Sequence, residues 1–149
     1  MLSIHWPELT SAQRITLITP PKYGKVPIVI DSDTYNEIDD QMAIAWAFLH
    51  PERLDLQAVY AAPFTNHYFG KEGSHTYVDD PAVGMQLSVD EIYRVFNKLP
   101  RRENIPQIFQ GSTRYLKDSN QPEMSAAVQD LINRARTAEQ TLHVLAIAA

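Results

Sequence analysis

An α/β fold, with a mostly parallel sheet and helices on both faces, is predicted by three observations. Short apolar runs that read as strands alternate along the chain with runs that read as helices, an order that implies crossover connections and parallel strands. The first and last strand-like runs, Val26 to Ile30 and Leu142 to Ile147, are nearly continuous in apolar residues, as strands covered on both faces are. An acidic turn directly follows the first of them, at the carboxyl end of a strand, where open α/β sheets bind their ligands.

The elements follow in order. Residues 1 to about 24 read as an irregular leader, because Pro7 and Pro20-Pro21 interrupt any regular element. Val26 to Ile30 is β-branched and apolar and reads as a buried strand. A helix is expected from about Asp39 to Leu49, with Met42, Ala43, Trp46 and Leu49 at helical spacing and Pro51 as its stop. Leu54 to Ala62 is a second strand, with Leu54, Leu56, Ala58 and Tyr60 alternating.

From Pro63 to Leu87 the chain is polar, aromatic and without clear period, and reads as a long loop. Ser88-Val-Asp-Glu91 fits a capping box, so a helix is expected to start there and run to about Leu99. Ile105 to Gln110 is a third strand closed by Gly111. Ser125 to Ala138 is a helix with Ala127, Val128, Leu131, Ile132 and Ala135 on one side. Thr141 to Ala149 is a fourth strand. Its apolar run asks for a helix on each face, and none follows, so the chain reads as the front part of a larger fold or as one that associates with further copies.

Composition bounds the function. A chain of 149 residues suits one domain with a leader, and 44% apolar and 21% charged residues are ordinary for a globular protein. The net charge of -5, with no run of Lys or Arg, argues against nucleic-acid binding. The absence of cysteine excludes disulfides, thiolate catalysis and cysteine-ligated zinc. No run approaches a membrane span and the N-terminus lacks a signal-peptide profile, so no membrane partner and a cytoplasmic location are expected.

The acidic turn carries the chemistry. Asp31, Asp33, Asp39 and Asp40 fall within ten residues. Crowded carboxylates repel one another unless a cation or a shared proton offsets the cost, and oxygen-only ligands suit a hard divalent ion. Helix capping by Asp39 accounts for one or two acids but not for four. An EF-hand loop fails, because Tyr35, Asn36 and Met42 stand where its fifth ligand, its turn glycine and its terminal glutamate belong. A haloacid-dehalogenase-type phosphatase, with Asp31 as nucleophile, Asp33 as acid and Gly111-Ser112 as a second motif, leaves Asp39-Asp40 without a role.

Asp31-Ser-Asp33 followed by Asp39-Asp40 resembles the N-terminal signature of the nucleoside hydrolases, whose usual form is Asp-x-Asp-Pro-Gly-x-Asp-Asp. The chain lacks the Pro-Gly and carries two further residues. It is most similar to a nucleoside-hydrolase-like branch reading Asp-x-Asp-x-x-Asn-Glu-x-Asp-Asp-Gln. Ala61-Ala-Pro-Phe-Thr-Asn66, Ile105-Pro-Gln-Ile-Phe-Gln-Gly111 and Leu142-His-Val-Leu-Ala-Ile-Ala-Ala149 resemble later segments of that family in the same order.

The resemblance implies a calcium-dependent enzyme that cleaves the N-glycosidic bond of a small-molecule riboside. It implies that Asp33 binds Ca2+ and acts as general base, and that Asp40 is a second calcium ligand. Asp39 would accept from the ribose hydroxyls, Asn66 would contact the sugar, and Asp31 would support the constellation. The family's remaining calcium ligands and its leaving-group acid come from beyond residue 149. A truncated, non-catalytic homologue with residual metal or ribose binding is therefore the alternative. His67 and His75 read as solvated loop residues, and His143 as structural. Tyr60, Phe64, Tyr68 and Phe69 suit a base-stacking pocket or core packing equally.

Overall fold

A computed structural model describes residues 8–66, 77–100, 105–118 and 120–148. It shows an α/β fold: four parallel strands in the order β3-β2-β1-β4, with helices on both faces. The strands are β1 (Val26–Ser32), β2 (Leu54–Ala61), β3 (Gln107–Gln110) and β4 (His143–Ala146). The helices are α1 (Ser11–Ile18), α2 (Ile38–Leu49), α3 (Pro81–Lys98) and α4 (Ala126–Thr137).

Side-chain alternation along β1 divides the core in two. Ile28 and Ile30 pack with Ile44, Ala47 and Phe48 of α2 and with Val89, Ile92 and Phe96 of α3. Val29 packs on the opposite face with Ala58, Tyr60 and Ala127 of α4. The order doubles back at β1: β2 and β3 build outward on one side, and β4 joins on the other. A reversal of this kind opens a crevice at the carboxyl ends of the strands, here at the end of β1.

Several expectations are corrected. The leader is not wholly irregular, because Thr10 and Gln13 form a capping box that starts α1. The 63–87 segment is not a loop throughout, and Ser88-Val-Asp-Glu91 does not start a helix. Asp80 caps α3 by accepting from the Ala82 amide, and Pro81 takes the first helical position. Ser88 and Glu91 then lie mid-helix and buried, with Glu91 paired to Arg94. The chain reaches this early helix start because Gly84 lets α3 touch the Phe64 backbone, where a Cβ would stand 2.2 Å from the Phe64 carbonyl oxygen.

The face of α2 is also corrected. Met42 and Trp46 are 62% and 59% exposed, while Asp40, Ile44, Ala47 and Phe48 are buried. This helix is apolar nearly all round, so spacing alone did not select the inward stripe. In β2 a register shift opposite Ile28/Val29 skips Gln57. The bulge puts Leu54 and Leu56 on the α2/α3 face and Ala58 and Tyr60 on the α4 face. Ala135 of α4 is exposed, whereas Ala127 is buried and Val128, Leu131 and Ile132 are half-buried. Among the described residues no helix is long and apolar enough to cross a membrane.

Candidate functional site

Strand β1 runs two residues further than its apolar stretch, through Asp31 and Ser32. Its end is held from both sides. The Asp31 carbonyl accepts from the Ile147 and Ala148 amides at 2.9 and 3.3 Å, and the Ser32 carbonyl accepts from the Ala62 amide at 2.8 Å. The chain then turns sharply, with the Asn36 amide donating to the Asp33 carbonyl at 2.7 Å and Asn36 Nδ2 to Asp33 Oδ2 at 3.0 Å. Glu37, not Asp39, takes the N-cap position of α2, and Asp39 and Asp40 fill its first turn. Negative charge is favoured there by the helix dipole.

Two aspartates are drawn inward. Asp33 is 3% exposed and Asp40 is 5% exposed. Ser32 Oγ donates to Asp40 Oδ1 at 2.6 Å, and Thr34 Oγ1, 2.6 Å from Ser32 Oγ, completes a buried chain of hydroxyls. Ser32 has one proton to give, so Thr34 is the donor to Ser32. Burial pushes the Asp33 carboxyl above its ordinary range, against the lowering effect of Asn36, and the Glu37 and Asp31 charges push it the same way. Burial likewise raises Asp40, opposed by the Ser32 hydrogen bond and reinforced by Asp33, Asp39 and Glu37. Asp31, half-buried on the α4 face, is raised by burial.

The expected residues are thus placed unequally. Asp33 and Asp40 are buried beyond the end of β1, Asp31 is half-buried on the strand itself, and Asp39 is exposed at the start of α2. Asn66 is engaged with the backbone: its Oδ1 accepts from the Val78 N–H at 2.7 Å and its backbone N–H donates to the Val78 carbonyl at 2.9 Å. His67, His75, Tyr68 and Phe69 lie outside the described residues. Tyr60 is core, its hydroxyl donating to Asp130 at 2.9 Å, and Phe64 stacks on Tyr35 with ring centres 6.4 Å apart. Ser112 Oγ donates to the Arg114 carbonyl at 2.6 Å, inside its own turn.

Ser32, Thr34 and Arg94 were not given a role by sequence. Arg94 reaches from α3 over the Tyr35 ring at 6.0 Å and ties the acidic turn to that helix. Ser32 could have been found by carrying the β1 alternation two residues on, which puts its hydroxyl on the same face as Ile28 and Ile30.

The donor set at the crevice is all oxygen, which suits a hard cation. Among the described residues no group of three or more His, Cys, Asp or Glu side chains is arranged to hold a metal ion. A cation held by Asp33 and Asp40 would have to complete its shell with carbonyl, water or ligand oxygens.

Comparison with protein families, with curated proteins and with solved structures finds no match to this chain.

Proposed function

We propose that the crevice at the end of β1 is the sugar-and-metal half of an N-ribosyl hydrolase site, specific for a small riboside and dependent on calcium. The observation that carries this reading is the burial of both Asp33 and Asp40, with the Asp33 charge among the causes that raise Asp40 above its ordinary range. Two like charges held out of water at a topological switch point are costly unless a cation meets them.

Asp33 and Asp40 would hold the ion. When bound, Ca2+ would orient the ribose diol and acidify an attacking water. Asp33 would take a proton from that water. Ser32 fixes Asp40 in one rotamer, which leaves Asp40 Oδ2 for the ligand. Asp39, exposed at the rim, is placed to accept from sugar hydroxyls. Departure of the base builds positive charge on the ribose ring, and the carboxylates in this turn offset it.

A second reading is residual metal or ribose binding without turnover. Release of free base from a panel of ribosides, with calcium and with chelator, separates the two. Calcium-dependent release that Asp33→Ala and Asp40→Ala abolish supports the hydrolase. Calcium binding without release supports the binding protein, and cleavage retained in both variants overturns the assignment. Self-association through the β4 edge, where Val144 and Leu145 are 48% and 40% exposed, is part of the same proposal and is read by sedimentation.

A further inference from the structure

On the α4 face of the sheet, at the same carboxyl edge, lies a cavity of about 210 Å3. Tyr60, Pro63, Ala127, Leu131 and Val144 give it apolar walls, and Asp31 contributes its acid. The volume is below the ~300–1,000 Å3 of pockets for drug-sized ligands, so it admits a fragment of one or two rings.

Four lining residues carry polar side chains: Asp31, Tyr60, Ser112 and Ser125. Three of them are committed elsewhere. The Tyr60 hydroxyl donates to Asp130, Ser112 is held in the turn around Arg114, and Ser125 Oγ accepts from the Val128 amide at the start of α4. The Asp31 carboxylate meets no donor among the described residues. Alternation along β1 places it on the Val29 side of the sheet, the side of the cavity.

We propose that this cavity is a subsite for a planar heterocycle presenting two adjacent N–H donors, such as a ring N–H beside an exocyclic amine, bound edge-on by Asp31. A carboxylate accepts such an edge through two parallel charge-assisted hydrogen bonds, while the ring faces lie against the apolar walls. An ammonium group is a poorer occupant, because its three donors diverge and cannot all face one carboxylate, which leaves an N–H against the apolar walls. Of the four aspartates in the acidic turn, Asp31 alone lines the cavity. The inference deepens the riboside reading by naming the class of base, and rests on that reading only for the link to a sugar.

The test uses free heterocycles, so that neither ribose nor calcium enters. Isocytosine carries the paired N–H edge and uracil lacks the amine. Affinities are measured by ligand-observed NMR for the wild type, Asp31→Asn and Val144→Phe, the last filling the cavity from a half-exposed position. The expected result is about tenfold tighter binding of isocytosine than of uracil, a preference lost in Asp31→Asn, and loss of binding in Val144→Phe with its circular dichroism unchanged. Equal affinity for the two probes, absence of binding, or binding untouched by Val144→Phe overturns the subsite. Riboside cleavage without this preference would sink the subsite alone; the preference without cleavage would sink only the hydrolase.

Discussion

Ser32 Oγ donates to Asp40 Oδ1 across 2.6 Å and eight positions of sequence, joining the last residue of β1 to the first turn of α2. This bond fixes where the acidic turn ends and which way its innermost carboxylate points. Ser32→Ala leaves a buried carboxylate without its donor, at a cost of about 1–3 kcal/mol. Urea unfolding of the two proteins reads the difference, and a change below a few tenths would contradict the geometry.

Ser88 makes the opposite case. Its hydroxyl is buried within α3 and has no hydrogen-bond partner. Ser88→Ala removes an unsatisfied polar group and improves helix propensity, so it is expected to stabilise by up to ~1 kcal/mol. A lower thermal midpoint for Ser88→Ala would show that the hydroxyl has a partner after all.

Two glycines are spacers between backbones. A Cβ at Gly84 would meet the Phe64 carbonyl oxygen at 2.2 Å, and one at Gly111 would meet that of Ala61 at 2.3 Å. Gly84→Ala and Gly111→Ala are each expected to cost about 1–3 kcal/mol or more. Alanine at Gly24 meets no atom within 4 Å, and only its φ of +82° is strained, so a smaller loss of roughly 1 kcal/mol is expected there. Denaturant midpoints should rank the three in that order.

The pH dependence of the acid pair has a definite sign. Both folded-state values are raised above the ordinary 3.8, so the native state holds protons that the unfolded chain has released. Their contribution to stability is therefore full below 3.8 and is lost as pH rises through the raised values. Without divalent cations, the stability of the wild type relative to Asp33→Asn and Asp40→Asn should fall from acid toward neutral pH. A pH-independent difference would contradict the burial of the pair.

What the sequence disclosed follows from how each element is specified. The strands and their parallel sense were legible because strand-like and helix-like runs alternate, with the apolar run of β1 ending at Asp31 and β2 followed by Pro63; the strand order was not. The start of α3 was hidden because the serine and glutamate at 88 and 91 mimic a cap, while Asp80-Pro81, the real one, lies next to an aperiodic segment. The inward face of α2 was hidden because Ile38, Met42 and Trp46 are as apolar as the buried Ile44 and Phe48. Of the site, Asp33 and Asp40 were visible as residue types. Their burial, the Ser32–Thr34 hydroxyls and the Arg94–Tyr35 contact depend on tertiary packing, which spacing does not report.

The proposed hold of Asp33 and Asp40 on a divalent cation is tested most directly by calcium-dependent stability. Chemical unfolding at neutral pH is compared in chelator and in excess calcium, for the wild type and for Asp33→Asn with Asp40→Asn. A site that binds only the folded chain should stabilise the wild type by ~2.7 kcal/mol at a calcium concentration about 100 times Kd, and should leave the double variant unmoved. An equal response of the two proteins, or none in the wild type, would contradict the site.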